Sequence, residues 1–212
     1  MTHLLSTLMP LCLAAGISPV MFSEQLLLVS GRGGRRSATA FAAGTVAVLA
    51  VLTALVVTVG GSLSLPRTPT LSARLDVALG GLLLALAALV RKRAPRPPKP
   101  ATTEPDRSVA SAFGFGVFSM ATNLTTLPLV IAAAKDIAAS GVSVVWMALA
   151  IALLLIGGCL PAWTPLVLER VPGGQRTMAA ISDTLDRHGR SLVVLALGGA
   201  GVLFVSKGLL AL

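Results

Sequence analysis

The stretch AGISPVMFSEQLLLVSG, residues 15–31, decides how the rest of the chain is read. It is apolar for most of its length, yet Pro19 and Glu24 stand within it. A proline inside a helix removes one hydrogen bond and leaves a carbonyl without its donor. A carboxylate inside an apolar span costs about 3 kcal/mol or more. If the surroundings are lipid, both features need cover from protein or from a wet cavity.

The composition makes lipid the expected solvent. Of 212 residues, 55% are hydrophobic and 12% are charged, with a mean hydropathy of +0.88. A soluble domain carries roughly 25% charged residues. An all-α integral membrane protein follows. The net charge is +9, but the sequence has no zinc-knuckle spacing, no base-stacking aromatic cluster and no tyrosine. Nucleic acid is therefore not an expected partner. The basic excess reads as loop charge beside anionic lipid. The opening MTHLLSTLM lacks a basic n-region, and its apolar run outlasts a signal-peptide core, so no signal peptide is expected. Two cysteines, Cys12 and Cys159, are too few for a disulfide framework.

A crossing helix needs about 20 apolar residues. Six segments qualify, at about 5–30, 38–60, 71–90, 109–134, 141–166 and 191–211. Arg32, Arg35 and Arg36 follow the first span; Arg91, Lys92, Arg93, Arg96, Lys99 and Arg107 follow the third; Arg170, Arg176, Arg187 and Arg190 follow the fifth. That puts 3 + 6 + 4 = 13 of the 17 basic residues in three alternate loops. By the positive-inside rule those loops are cytoplasmic. Both termini then lie outside the inner (plasma) membrane. Trp146 and Trp163 fit this frame, because a straight helix would separate them by about 25 Å, near one hydrocarbon thickness.

The loop RKRAPRPPKPATTEPDR, residues 91–107, is rich in proline and charge and reads as an extended linker. It divides the chain into halves, 1–90 and 108–212, of three spans each. In GGQRTMAAISDTLDRHGR, residues 173–190, Met178, Ile181 and Leu185 recur at helical spacing. That pattern suits a short helix on the membrane surface or a solvent-facing amphipathic turn.

The halves echo one another. ALGG stands at 78–81 and again at 196–199, each early in the third span of its half. Spans one and four each have a polar, proline-containing middle, GISP at 16–19 and TNLTTLP at 122–128. Duplicating three spans forces the second copy to enter from the opposite side, which predicts two inverted-topology three-helix repeats. Gly80, Gly81, Gly198, Gly199 and Gly201 are expected to let spans three and six approach closely.

Interrupted helices at matching places in two halves point to a transport site. The substrate or ion path expected here is formed by Ser18, Pro19, Glu24, Thr122, Asn123, Thr126 and Pro128. Hydroxyls and an amide can hydrogen-bond a substrate, and Glu24 can trade a proton or a cation. The alternative for Glu24 is to snorkel to the interface and pair with Arg32 or Arg35. Lys135 and Asp136 read as an interfacial ion pair, and Lys207 as a snorkelling end residue. His3 and His188 are isolated, so no metal is expected. No phosphate-binding loop and no nucleophile–base arrangement appears, so the chain reads as a non-enzyme without a cofactor.

The opening LAAGISPVMFSEQLLLVS, then GRGGRRSATAFAAGTVAVL, FSMATNLTTLPLVIAAAKDIAASGVS and the ending LDRHGRSLVVLALGGAGVLFVSKGLLAL resemble the lysine-exporter superfamily of small six-span transporters. More narrowly they resemble the actinobacterial glycolipid-addressing family, which includes the sulfolipid-addressing proteins. The resemblance covers nearly the whole chain. It implies export of a cell-envelope glycolipid, or help in moving it across the inner membrane, with larger lipid-export machinery as a partner; separately, a second copy of the chain is a candidate partner. The superfamily also exports amino acids and cations, so a small solute is the alternative substrate. A second alternative is a thiol–disulfide electron carrier, with Cys12 near Pro10 and Cys159 near Pro161. A third is a scaffold that recruits partners through the basic 91–107 loop.

Overall fold

Proline 19 ends one helix and starts the next. The computed structural model describes residues 2–31, 34–62, 69–92 and 108–211. Their regular structure is helical: α1 (Thr2–Ala15), α2 (Pro19–Ser30), α3 (Gly34–Ser62), α4 (Pro69–Lys92), α5 (Val109–Ala121), α6 (Thr126–Ala139), α7 (Val144–Gly158), α8 (Leu160–Leu168) and α9 (Gly174–Leu210). Most of the 91–107 linker lies outside the described residues. Helices α3, α4 and α9 are long and apolar enough to cross a membrane. Three bent pairs, α1/α2, α5/α6 and α7/α8, bring the number to six if each pair is one span. The chain is a membrane protein.

Each bend has a local cause. Between α1 and α2 the chain turns by 54°. Pro19 has no N–H for the Ala15 carbonyl, and it forces Ser18 into an extended conformation, φ −130° and ψ 94°. Between α5 and α6 the bend is 73°. Here Asn123 captures the backbone: its Oδ1 accepts from the N–H groups of Thr125 and Thr126 at 3.2 and 3.1 Å. An asparagine side chain that takes up the N–H groups of the next turn stops one helix and starts another. Pro128 then falls in the first turn of α6, where a missing N–H costs little.

The third bend, 68° between α7 and α8, was not among the expected breaks. Gly157 and Gly158 precede it, Cys159 sits at φ −98° and ψ 7°, and Pro161 opens α8. The straight helix assumed between Trp146 and Trp163 is therefore absent; both rings are exposed, on separate helices.

The last helix differs from expectation in the other direction. The stretch 173–190 is not a separate surface helix. It forms the first turns of α9, which continues through 37 residues. At 1.5 Å per residue that is about 55 Å, well beyond one bilayer core. Glycines recur along it, and several allow close packing. A Cβ on Gly189 would stand 2.8 Å from the ring of Pro19, so its absence lets α9 lie against the start of α2.

Close helix crossings depend on particular glycines. A Cβ at Gly80 would meet the Gly201 carbonyl at 2.7 Å, and one at Gly208 would meet the Ala73 carbonyl at 2.7 Å. Rising numbers on α4 thus meet falling numbers on α9, and the two run antiparallel. The expectation fails for Gly81, Gly198 and Gly199, which face open space. Two glycines not singled out bring α3 and α5 together: Cβ atoms at Gly44 and Gly116 would lie 2.3 and 2.2 Å from the carbonyls of Phe113 and Phe41. In α2, buried Gln25 donates from Nε2 to the Ala38 carbonyl at 3.0 Å and fastens α2 to α3.

The charged residues at the other end of the spans also correct the sequence reading. Lys135 does not pair with its neighbour Asp136. It pairs with Asp76 of α4. Lys207 does not merely snorkel; its Nζ lies 2.9 Å from Asp136 and 3.8 Å from Asp76.

Candidate functional site

The breaks in spans one and four face each other and are bonded across. Pro19 leaves the Ala15 carbonyl without its helical donor, and Thr126 Oγ1 donates to that carbonyl at 3.1 Å. Asn123 Nδ2 donates to Ser18 Oγ at 3.1 Å. Ser119 Oγ donates to Glu24 Oε2 at 2.5 Å. Each bond joins the first half of the chain to the second. Interhelical hydrogen bonds in membranes contribute about 0.6 kcal/mol on average and reach about 1.7 kcal/mol. Their larger effect is to satisfy polar groups that lipid cannot.

Asn123 is the centre of this arrangement. Its amide oxygen also accepts from Thr125 Oγ1 at 2.6 Å. One side chain therefore breaks the helix, caps α6 and reaches across to Ser18. The Ser18 hydroxyl, at the N-cap of α2, is free for that role because it makes no capping bond of its own.

Beside these bonds lies a cavity of about 440 Å³. That falls within the range of small-molecule sites, about 300–1,000 Å³. Ser18, Pro19, Glu24, Thr122 and Asn123 line it, so five of the seven expected residues meet there. Thr126 and Pro128 do not line it; both are buried within α6. Glu24 is half-buried on the cavity wall and accepts from α5 rather than lying out in water.

Sequence reading missed three contributors. Ser119 sits in the last turn of α5, four residues before Asn123 in the break, and only that spacing could have flagged it. Arg190 was counted as loop charge, yet it lines the cavity and its guanidinium donates to the backbone carbonyls of Val90, at 3.2 Å, and Arg91. It thereby caps the C-terminal end of α4. The third contributor is the apolar rim. Val20, Leu89, Phe118 and Leu124 line the cavity and remain exposed. In a membrane chain such exposed surface meets acyl chains. One wall can thus hydrogen-bond a polar group while the rim accepts hydrocarbon.

Cys12 and Cys159 are both buried and free. Neither lines the cavity. Cys12 packs where α1 meets the third break: a Cβ at Gly157 would stand 2.9 Å from the Cys12 Cβ. Among the described residues no group of histidine, cysteine or carboxylate side chains could hold a metal ion.

A family model described as Sap, sulfolipid-1-addressing protein, matches residues 8–210. The chain belongs to the sulfolipid-1-addressing protein family. The match runs through all nine helices given above, so the cavity and the three bends lie inside it. No curated protein and no solved structure matches this chain.

Proposed function

We propose that this protein exports a cell-envelope glycolipid, or facilitates its passage across the inner membrane, through the cavity between the two broken helices. The observation that carries this reading is the pairing of a polar wall with an apolar, exposed rim. Ser18, Glu24, Ser119 and Thr122 offer hydroxyl and carboxylate oxygens to a sugar headgroup. Val20, Leu89, Phe118 and Leu124 offer a surface to its acyl chains. A small hydrophilic solute would not need that rim. Membership of the sulfolipid-1-addressing family supports a glycolipid as the class of cargo.

The same reading places the chain in the lysine-exporter superfamily, with its halves as inverted repeats. In support, the breaks of spans one and four lie in corresponding places and are bonded to one another. The basic loops face the cytoplasm and both termini face outward. Glu24 is the residue that exchanges a proton or cation during the cycle. Larger lipid-export machinery and a second copy of the chain are its expected partners.

Surface-lipid profiling of cells with and without the gene tests this directly. Loss of the gene depletes a glycolipid from the surface and leaves it inside; wild-type chain restores it. Glu24→Gln, at equal abundance in the membrane, abolishes the restoration. An unchanged surface profile in the deletion removes the export reading. Full restoration by Glu24→Gln removes only the role given to the carboxylate.

A further inference from the structure

We propose that Asp76, Lys135, Asp136 and Lys207 form an ionic gate closing the path at the end opposite the cavity. The inference rests on the export reading for its purpose, but it concerns residues that the cavity does not use. Because α4 and α9 run antiparallel in close contact, position along one fixes position along the other. Val90 on α4 and Val193 on α9 line the cavity. Asp76 lies 14 residues before Val90, and Lys207 lies 14 residues after Val193. Both are therefore about 21 Å along their helices from these two residues, and about 15 Å from Leu86 and Leu197, the nearest lining residues on the same helices.

The charges are shared in a telling way. Asp76 and Lys207 belong to the α4/α9 pair, and Lys135 and Asp136 belong to α6. The contacts between these two bodies are Lys135–Asp76 and Lys207–Asp136. Each body contributes one acid and one base to this cluster. Asp76 also has Lys207 at 3.8 Å within its own body. If the bodies part, each takes one acid and one base of the cluster with it. A permanent staple has no need of that balance, whereas a contact that opens and closes does, because an unpaired buried charge is costly.

The closed state is tight but not fully satisfied. Asp76 is 3% exposed and Asp136 is 8% exposed. Asp136 Oδ2 is buried without a hydrogen-bond partner, so opening to water gives it one. Beneath the cluster lies buried Phe204 of α9, with the ammonium groups of Lys135 and Lys207 at 5.9 and 5.5 Å from its ring centre. Leu197, which lines the cavity, precedes Phe204 by seven residues on the same face of α9. Phe204 thus stands between the cavity and the ion pairs, and moving α4/α9 away from α6 withdraws ring and charges together. Alternating access in inverted-repeat transporters works by such rocking of one bundle against another.

The test is solvent access and needs no substrate. Leu86→Cys, at a half-buried position on the cavity wall, is introduced into a chain carrying Cys12→Ala and Cys159→Ala, reconstituted in vesicles and treated with a membrane-impermeant maleimide from each face. The parent labels from the cavity face. Lys207→Gln raises labelling from the opposite face at least tenfold, and Lys207→Arg, which keeps the charge, does not. Asp136→Asn is isosteric and reads the same contact from α6, with the same rise expected. Unchanged labelling in both neutral variants, with thermal melting showing them folded, overturns the gate. An equal rise in Lys207→Arg also overturns it, since packing and not charge would then hold the end closed. If labelling rises as stated while loss of the gene leaves surface lipid unchanged, the gate stands and the export reading falls.

Discussion

The break region around Asn123 and the charged cluster around Lys207 lie toward opposite ends of the same bundle, and they are built from different bonds. Around Asn123 the donors are neutral amides and hydroxyls, and their acceptors are mainly neutral too. They satisfy carbonyls and N–H groups that the kinks themselves expose, as Thr126 does for Ala15. Such groups need partners in every state of the protein, because lipid offers none. Around Lys207 the contacts join full charges from two bodies, and each body contributes one acid and one base to them. The first region is a permanent joint between the halves, and the second is a contact that can be exchanged for water. The difference teaches where the helical bundle is rigid and where it can move.

The largest effect should come from removing the joint. Asn123→Ala deletes the helix-stopping acceptor, the α6 cap and the reach to Ser18 together. It should lower stability by about 2–3 kcal/mol, given several lost bonds and newly unpaired groups. Export should fall at least tenfold. Thermal unfolding in detergent and surface-lipid profiling measure the two effects. Near-normal stability would make Asn123 a lining residue rather than a joint.

A smaller loss is expected for Thr126→Val, which keeps shape and removes the donor to the Ala15 carbonyl. About 1–2 kcal/mol should be lost, with the cavity lining intact because Thr126 does not contribute to it. Export per folded molecule should stay within about twofold, in contrast to Asn123→Ala. A selective loss of export at wild-type stability would place Thr126 on the path after all.

The smallest effect concerns the thiols. Cys12→Ser with Cys159→Ser alters neither the joint nor the charged cluster, and neither residue lines the cavity. Export per folded molecule should remain within about twofold of wild type. Its abolition would favour the electron-carrier alternative over glycolipid export.

Much of this architecture was legible because lipid makes a strict solvent. Length and hydropathy placed six segments, and proline with clustered hydroxyls located two of the three bends. Pro19 could be read as a breaker from its own chemistry. Asn123 could be read as polar, but its reach to Ser18 depends on the two halves docking, and no local pattern encodes that. The third bend had signals in Gly157, Gly158 and Pro161, yet the apolar run around them looked like one continuous span. The opposite error occurred in α9, where the amphipathic spacing of Met178, Ile181 and Leu185 suggested a separate short helix although no proline interrupts residues 174–210. Lys135 and Asp136 were adjacent in sequence and so seemed partners. Successive helix residues project in different directions, so each met a different helix instead.

Photocrosslinking with a glycolipid that carries a diazirine in its acyl chain tests the central claim most directly. In vesicles, adducts should concentrate on Phe118, Leu124 and Leu89 at the cavity rim rather than on Val145 and Leu149, which are exposed on α7. Unlabelled glycolipid should compete them away. Adducts spread evenly over rim and α7, indifferent to competitor, would show that the rim is ordinary lipid-facing surface and would contradict a glycolipid path between the broken helices.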